Sequence, residues 1–430
     1  MTDYRQRQNL LSSTSRIQAP WVKIAIGDYT FGVFSKKAAK GKDSSGYYIK
    51  NFDVQYPSYV ESLNIQKING QVNTYTLQLR YPIRTDDDPN LIEKILSSVT
   101  RTRKIVFSYG DSANPAYVYK DEEAIITSVQ QSFNMESTIQ SVISYTIKAV
   151  SGCALAGSGA FTFPNGATPK KPSDEIKRVF RDSAYGLQNL FRGMSESNID
   201  ALVDSTDQAV ELDTKINISP LDYINYLVGC MYPVGSSPSS LTSDMYILTI
   251  HDETVFDNFF SDTSGYGGPY FKVTRISTRT LHKTDAFNID IGFNTSTVVT
   301  SFTIENNENY SLLYDYNAKL SPELYSNRLN SQGNWEQVFA PMVTSGNDRF
   351  LTRSEDATWF TKLTKYPINA TIRVQGLLRP ASLLQYVRLN VIFPGGNRHI
   401  SSGLYIITKQ IDDISGNGYF TTLSLTRISD

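Results

Sequence analysis

The residues able to do chemistry are few and scattered. Of the three histidines, His251, His282 and His399, none stands in an HExxH or comparable metal-ligating spacing. His251-Asp252-Glu253 is the one place where an imidazole and two carboxylates stand together. It follows a strand-like run and reads as a solvated loop rather than a metal or acid–base site. Asp86-Asp87-Asp88 could coordinate a hard cation, but Pro89 and an apolar helical stripe come next. The three carboxylates therefore read as the cap of a helix whose dipole favours negative charge at its start. Gly265-Tyr266-Gly267-Gly268 and Gly395-Gly396 lack the Lys-Ser/Thr pair of a phosphate cradle and read as turns. There is no GxSxG elbow, and no Cys-His pair has a recognisable local context. Glycoside hydrolysis would need two positioned carboxylates in a cleft, and no extra compact domain is evident to hold them. The expectation is a chain with no catalytic residue, no cofactor and no metal.

The elements that would position any site are mostly strands. The chain has 430 residues, enough for two to four domains. Lys plus Arg total 41 and Asp plus Glu 42, a net charge of -1 that supplies no field for nucleic acid or an anionic membrane. Aromatic residues reach 12%, with 27 Tyr, while only 19% are charged, a balance that leans to sheet and to contact surfaces. Cys153 and Cys230 have no CxxC partner and read as reduced and inert. The start of the chain lacks the apolar core of a signal peptide, and no run reaches the ~18 residues of a membrane span, so the expected site of synthesis is a cytoplasm.

Residues 1–19 read as a flexible arm, rich in Ser, Gln and Arg. A β domain with one helix follows over 20–150, with a lysine-rich surface finger between Ser35 and Gly46. Leu63 and Ile65 lead to Asn69-Gly70, a two-residue hairpin signal, and Tyr75, Leu77, Leu79 and Tyr81 continue beyond it. Leu91, Ile92, Ile95, Leu96 and Val99 have helical spacing. The Gly/Ala/Ser/Pro stretch 151–171 reads as a linker. Segment 172–240 reads as helical: one helix opens at Ser173, a second spans Ile199 to Leu212, and a third follows the capping box at Ser219-Pro220-Leu221-Asp222. Strands resume over 241–317. Residues 318–365 are a mixed insertion in which Trp335 and Trp359 are candidate contact residues.

The C-terminal stretch 366–430 carries the clearest alternation. Ile368, Ala370, Ile372 and Val374, then Val387, Leu389, Val391 and Phe393, lie on one side of their strands. A hairpin follows, with one strand over Ser402 to Lys409, turn formers over Asp412 to Asn417, and a second strand from Gly418. Such strands can close as a small antiparallel barrel, which removes exposed edges.

The wording Ser402-Gly403-Leu404-Tyr405-Ile406-Ile407-Thr408-Lys409, leading through a polar turn into Gly418-Tyr419-Phe420-Thr421-Thr422-Leu423-Ser424-Leu425 and ending at Arg427, resembles the end of baseplate hub proteins of contractile-tailed bacteriophages. The stretch Phe302 to Asn317, with Tyr310, Tyr314 and Tyr316, resembles them as well. The order strands, hairpin, helix, strands in the first domain is similar to the tail-tube fold of that family. The fold class this implies is mainly β with helical insertions (α+β), with two tube-like antiparallel β-barrel domains and a helical linker region. The second barrel would combine 366–430 with strands from Tyr270 to Ile304. The resemblance further implies a homotrimer in the virion's tail baseplate, which joins the sixfold tail tube, or distal tube proteins, to a threefold central spike. Other baseplate proteins would be neighbours, and DNA would be only a cargo passing through the assembled tube. The alternatives left by the residues are a β-rich carbohydrate-binding adhesin or receptor-binding module using Trp335 and Trp359, and, further off, a peptidoglycan hydrolase.

Overall fold

The computed structural model describes residues 20–32, 56–57, 59–83, 88–98, 104–111, 118–134, 141–166, 168–187, 196–206, 209–231, 244–252, 269–277, 287–292, 299–306, 327–329, 335–337, 368–375 and 383–429. Across them the protein is mainly β with helical insertions. The N-terminal arm, the lysine-rich finger, Gly265 to Gly268, His282 and Trp359 lie outside the described residues.

A first module comprises β1 (Pro20–Ile26), β2 (Tyr29–Gly32), β3 (Tyr56–Pro57), β4 (Val60–Ile68), β5 (Thr74–Ile83), α1 (Leu91–Ser98), β6 (Lys104–Asp111), β7 (Val118–Asn134) and β8 (Ser141–Ser151). Its sheet runs β3-β2-β1-β6-β7-β8-β5-β4. Leu63 and Ile65, then Tyr75, Leu77, Leu79 and Tyr81, point inward with period two. Ile92, Ile95 and Leu96 of α1 join the same core. Of the acidic run, Asp86 and Asp87 lie outside the described residues; the Asp88 carboxylate accepts the Asn90 N–H at 2.9 Å just before the helix and is held below its usual range by Lys94 at 2.6 Å.

The β4–β5 hairpin forms, but not through the two-residue type I′ turn that Asn-Gly signals. Gly70 has φ +67°, Asn69 is not at positive φ, and Gln71 N–H bonds Ile68 O at 3.2 Å, the pattern of a type II turn inside a longer connection. Substituting Gly70→Val should cost about 1–3 kcal/mol, because a β-branched residue resists positive φ. A melting temperature within a degree or so of the unsubstituted protein would show that the turn tolerates another geometry.

Next along the chain comes a helical module: β9 (Phe161–Phe163), α2 (Pro172–Arg181), α3 (Glu196–Ala201), β10 (Lys215–Ile218), α4 (Pro220–Gly229), β11 (Asp244–His251) and β12 (Tyr270–Ser277). The stretch 151–171 is no open tether. It holds a 3-10 turn over Gly152–Gly157 with Cys153 and Ala156 buried, then β9 with Phe163 buried. Both cysteines are buried and neither forms a disulfide. Ile176, Val179 and Phe180 pack inward from α2, and Ile224, Leu227 and Val228 from α4. Ser219 caps α4 by accepting Asp222 N–H at 3.1 Å. Ser173, by contrast, lies inside α2, whose cap is Lys171, and its hydroxyl accepts Thr206 N–H at 3.1 Å. The expected second helix shortens to α3, because Leu202 in the turn that ends it, and Val203, Val210 and Leu212 beyond, bury themselves from non-helical chain.

The remaining strands are β13 (Phe287–Gly292), β14 (Val299–Asn306), β15 (Asn327–Leu329), β16 (Trp335–Gln337), β17 (Ile368–Gln375), β18 (Tyr386–Ile392), β19 (Gly403–Ser415) and β20 (Gly418–Ser429). A second module has the order β13-β18-β19-β20-β17-β14, and β15 pairs with β16 in a separate sheet that has two strands among the described residues. Of the strands between Tyr270 and Ile304, β13 and β14 belong to it, whereas β12 pairs with β11 and packs on the helices. Among the described residues no strand pair closes either module into a barrel.

The two sheets are one 14-stranded sheet because β19 belongs to both. Its first half, Gly403 to Ile406, pairs with β18, and its second half, Lys409 to Ser415, pairs with β4. Tyr405 and Ile407, with Leu423 and Leu425 of β20, fill the second core; Ile414 and Tyr419 fill the first. A bulge between Ile407 and Lys409 shifts the inward parity from odd to even, which keeps one face buried along the whole strand. Asp412 to Ser415 are therefore strand residues, not the turn expected from their types.

Candidate functional site

Where the first sheet, the helical module and the shared hairpin meet, the structure buries a polar cluster. The inward parity that buries Leu63 and Ile65 on β4 also buries Lys67, and the parity of Ala124 and Ile126 on β7 buries Glu122. Their side chains meet, Lys67 Nζ lying 2.5 Å from Glu122 Oε1. The Tyr109 hydroxyl of β6 donates to the same oxygen at 3.1 Å. Asp252, one residue past β11, enters from the helical module. It accepts from Asn73 Nδ2 at 2.7 Å, from the Tyr75 hydroxyl at 2.8 Å and from Ser151 Oγ, while its carbonyl accepts Glu123 N–H at 3.0 Å. The hairpin supplies Asp412, which accepts from Thr421 at 2.6 Å, Gln410 at 2.7 Å and Tyr419 at 3.2 Å.

Backbone bonds converge on the same place. Asn69 N–H reaches Thr408 O at the β19 bulge, and Gly70 N–H reaches Leu248 O of β11 at 3.0 Å. Asn73 ties on through Ile250 O at 3.3 Å and Ser151 N–H at 2.9 Å. The β4–β5 connection is thus held by both of its neighbours.

Three buried carboxylates around one lysine are electrostatically expensive. Burial pushes the Asp252 and Asp412 carboxyls above the usual range, against their hydrogen bonds and the field of Lys67. Burial likewise raises the Tyr75 hydroxyl and the Cys153 thiol, leaving both protonated and unreactive. Among the described residues no group of His, Cys, Asp or Glu is arranged to hold a metal. The arrangement can fasten three elements together in one register.

Of the residues singled out in the sequence, Asp252 has the opposite environment from the solvated loop expected: it is 1% exposed. His251 faces away, stacked on Tyr270 with its Nε2 3.0 Å from Thr249 Oγ1, so the imidazole and the carboxylate do not act together. His399 belongs to the β18–β19 connection, against Phe393 and Ser401. Lys67 and Glu122 passed unnoticed although a signal existed, since opposite charges stood at inward positions of two alternating strands. Asp252 and Asp412 had no such local signal.

No protein-family model matches this sequence, and no curated protein does. Solved structures resemble it along most of its length. A tail protein from Neisseria meningitidis MC58 superposes with a TM-score of 0.50 at 11% identity, over 95% of this chain and 97% of that one. The 43 kDa tail protein of prophage MuSo2 from Shewanella oneidensis gives 0.49 at 9% identity, over 94% and 96%. The E. coli c3393 protein, described as a type VI secretion component with structural similarity to T4 tail proteins gp27 and gp5, gives 0.46 at 10%, over 88% and 76%. At these identities the likeness is one of fold, and the chain has the fold of the Neisseria tail protein along nearly its whole length.

Proposed function

We propose that this protein is a structural component of a phage-type tail: a baseplate hub that joins a sixfold tube to a threefold spike as a trimer. The observation that carries the reading is the shared β19–β20 hairpin, which fuses two strand modules into a single sheet within a fold shared end to end with a tail protein. A chain that presents two modules in fixed relation lets three copies offer six to a sixfold partner, and closure of the ring would cover open sheet edges. Phe133 at the end of β7, and Phe393 and Ile400 at the β18–β19 connection, are exposed apolar side chains available for such contacts. The protein acts through interfaces and carries no catalytic activity. Tube, spike and neighbouring baseplate proteins are its partners, in a virion tail through which DNA passes.

Electron microscopy of the assembled particle tests this, with three copies per ring expected, together three times the 48.2 kDa of one chain. Rings of six identical copies would refute the hub assignment. Cell-wall clearing by the purified protein, lost on replacing one carboxylate, would refute a purely structural role. Specific glycan binding, with no place in a tail, would favour the adhesin.

A further inference from the structure

The Tyr75 hydroxyl lies between two carboxylates, 3.1 Å from Glu122 Oε2 and 2.8 Å from Asp252 Oδ2. A phenol has one proton to donate. With both carboxyls ionised, one of these contacts would set lone pair against lone pair in a site closed to water. Glu122 has the partners of a carboxylate, with Lys67 and Tyr109 on Oε1. Asp252 has hydrogen-bond donors but, among the described residues, no ion pair.

We infer that the junction retains one carboxyl proton at neutral pH, held on Asp252 and donated to the Tyr75 oxygen while Tyr75 donates to Glu122. The seam between the first sheet and β11 is thereby a proton-dependent lock. Every element packed around Asp252 bears on it: Asn73 and Tyr75 of the β4–β5 hairpin, Glu122 of β7, Tyr109 of β6, Lys67 of β4, Ser151 of β8 and Cys153 of the 3-10 turn. Asp412 of β19 competes for the field of Lys67. The direction in which burial moves Asp252 agrees with this proton count.

The sign of the pH dependence follows. An unfolded Asp loses its proton near about pH 4, whereas the folded protein keeps it. The contribution of Asp252 is therefore complete below about pH 4 and is lost as the pH rises through the raised folded value.

The test is thermal unfolding of the full chain between about pH 5 and about pH 8, with infrared spectroscopy of the folded protein for a protonated-carboxyl C=O band. Glu122→Gln is the informative variant, because its amide can donate to Tyr75, which then donates to an ionised Asp252. The unsubstituted protein is expected to lose melting temperature across this range and to show the band at neutral pH. In Glu122→Gln the loss should shrink by roughly half or more and the band should weaken; Asp252→Asn should do the same. An unchanged pH slope in a folded variant would overturn the inference. Should neither variant fold, Asp412→Asn decides, since burial raises that carboxyl as well: the band retained at neutral pH supports the lock, and its absence overturns it.

Discussion

Lys67→Met is expected to destabilise the protein by about 3–5 kcal/mol, the usual cost of removing one partner from a buried pair and leaving the other charged and enclosed. Glu122 is fully buried, 2.5 Å from the Lys67 ammonium, and Asp252 and Asp412 also lie in the field of that lysine. Methionine keeps the length of the side chain and its packing, so the loss reports charge rather than a cavity. The melting temperature should fall by roughly 5 °C. Lys67→Met combined with Glu122→Gln should recover a large part of the loss, because removing both charges spares the protein an unpaired one. Urea unfolding of the four proteins measures this. A single-variant loss below about 1 kcal/mol would mean that solvent reaches the cluster.

Tyr419→Ala should cost about 3–5 kcal/mol, as truncation of a buried aromatic residue does, and the effect should appear far from the substitution in sequence. Tyr419 is fully buried in the first core beside Tyr109, with ring centroids 6.2 Å apart, and it donates a hydrogen bond to Asp412. Alanine would leave a void among strands from the other end of the chain. Amide hydrogen exchange should show lost protection in β1 and β6 as well as in β17 and β20, since the hairpin belongs to both sheets. Protection lost only within 368–429 would mean that the first module folds without the hairpin.

What the sequence determined by itself is the local layer. Alternation placed Leu63, Ile65, Tyr75, Ile372, Val374, Val387 and Leu389 on buried faces, because a strand's side-chain period is two whatever its partner. Helical spacing placed Ile92, Ile95 and Leu96 inward, and Ser219 was recognisable as a cap because capping is a contact between near neighbours. The mainly β class and the absence of a recognisable catalytic spacing rested on the same short-range information.

Tertiary structure decided whatever depended on partners distant in the chain. No rule of alternation foresees the bulge at Thr408, which turns Asp412 inward and lets one strand pair with β18 at one end and β4 at the other. Asp252 looked like a solvated loop residue because its donors, Asn73, Tyr75 and Ser151, come from the first module. Asn69-Gly70 signalled a tight hairpin turn, yet its amides were drawn to Thr408 and Leu248 and the turn opened to reach them. A buried polar group must find its hydrogen-bond partners wherever the fold supplies them. The junction that fastens this protein was therefore visible in the sequence only as two opposite charges, Lys67 and Glu122, at inward positions of their strands.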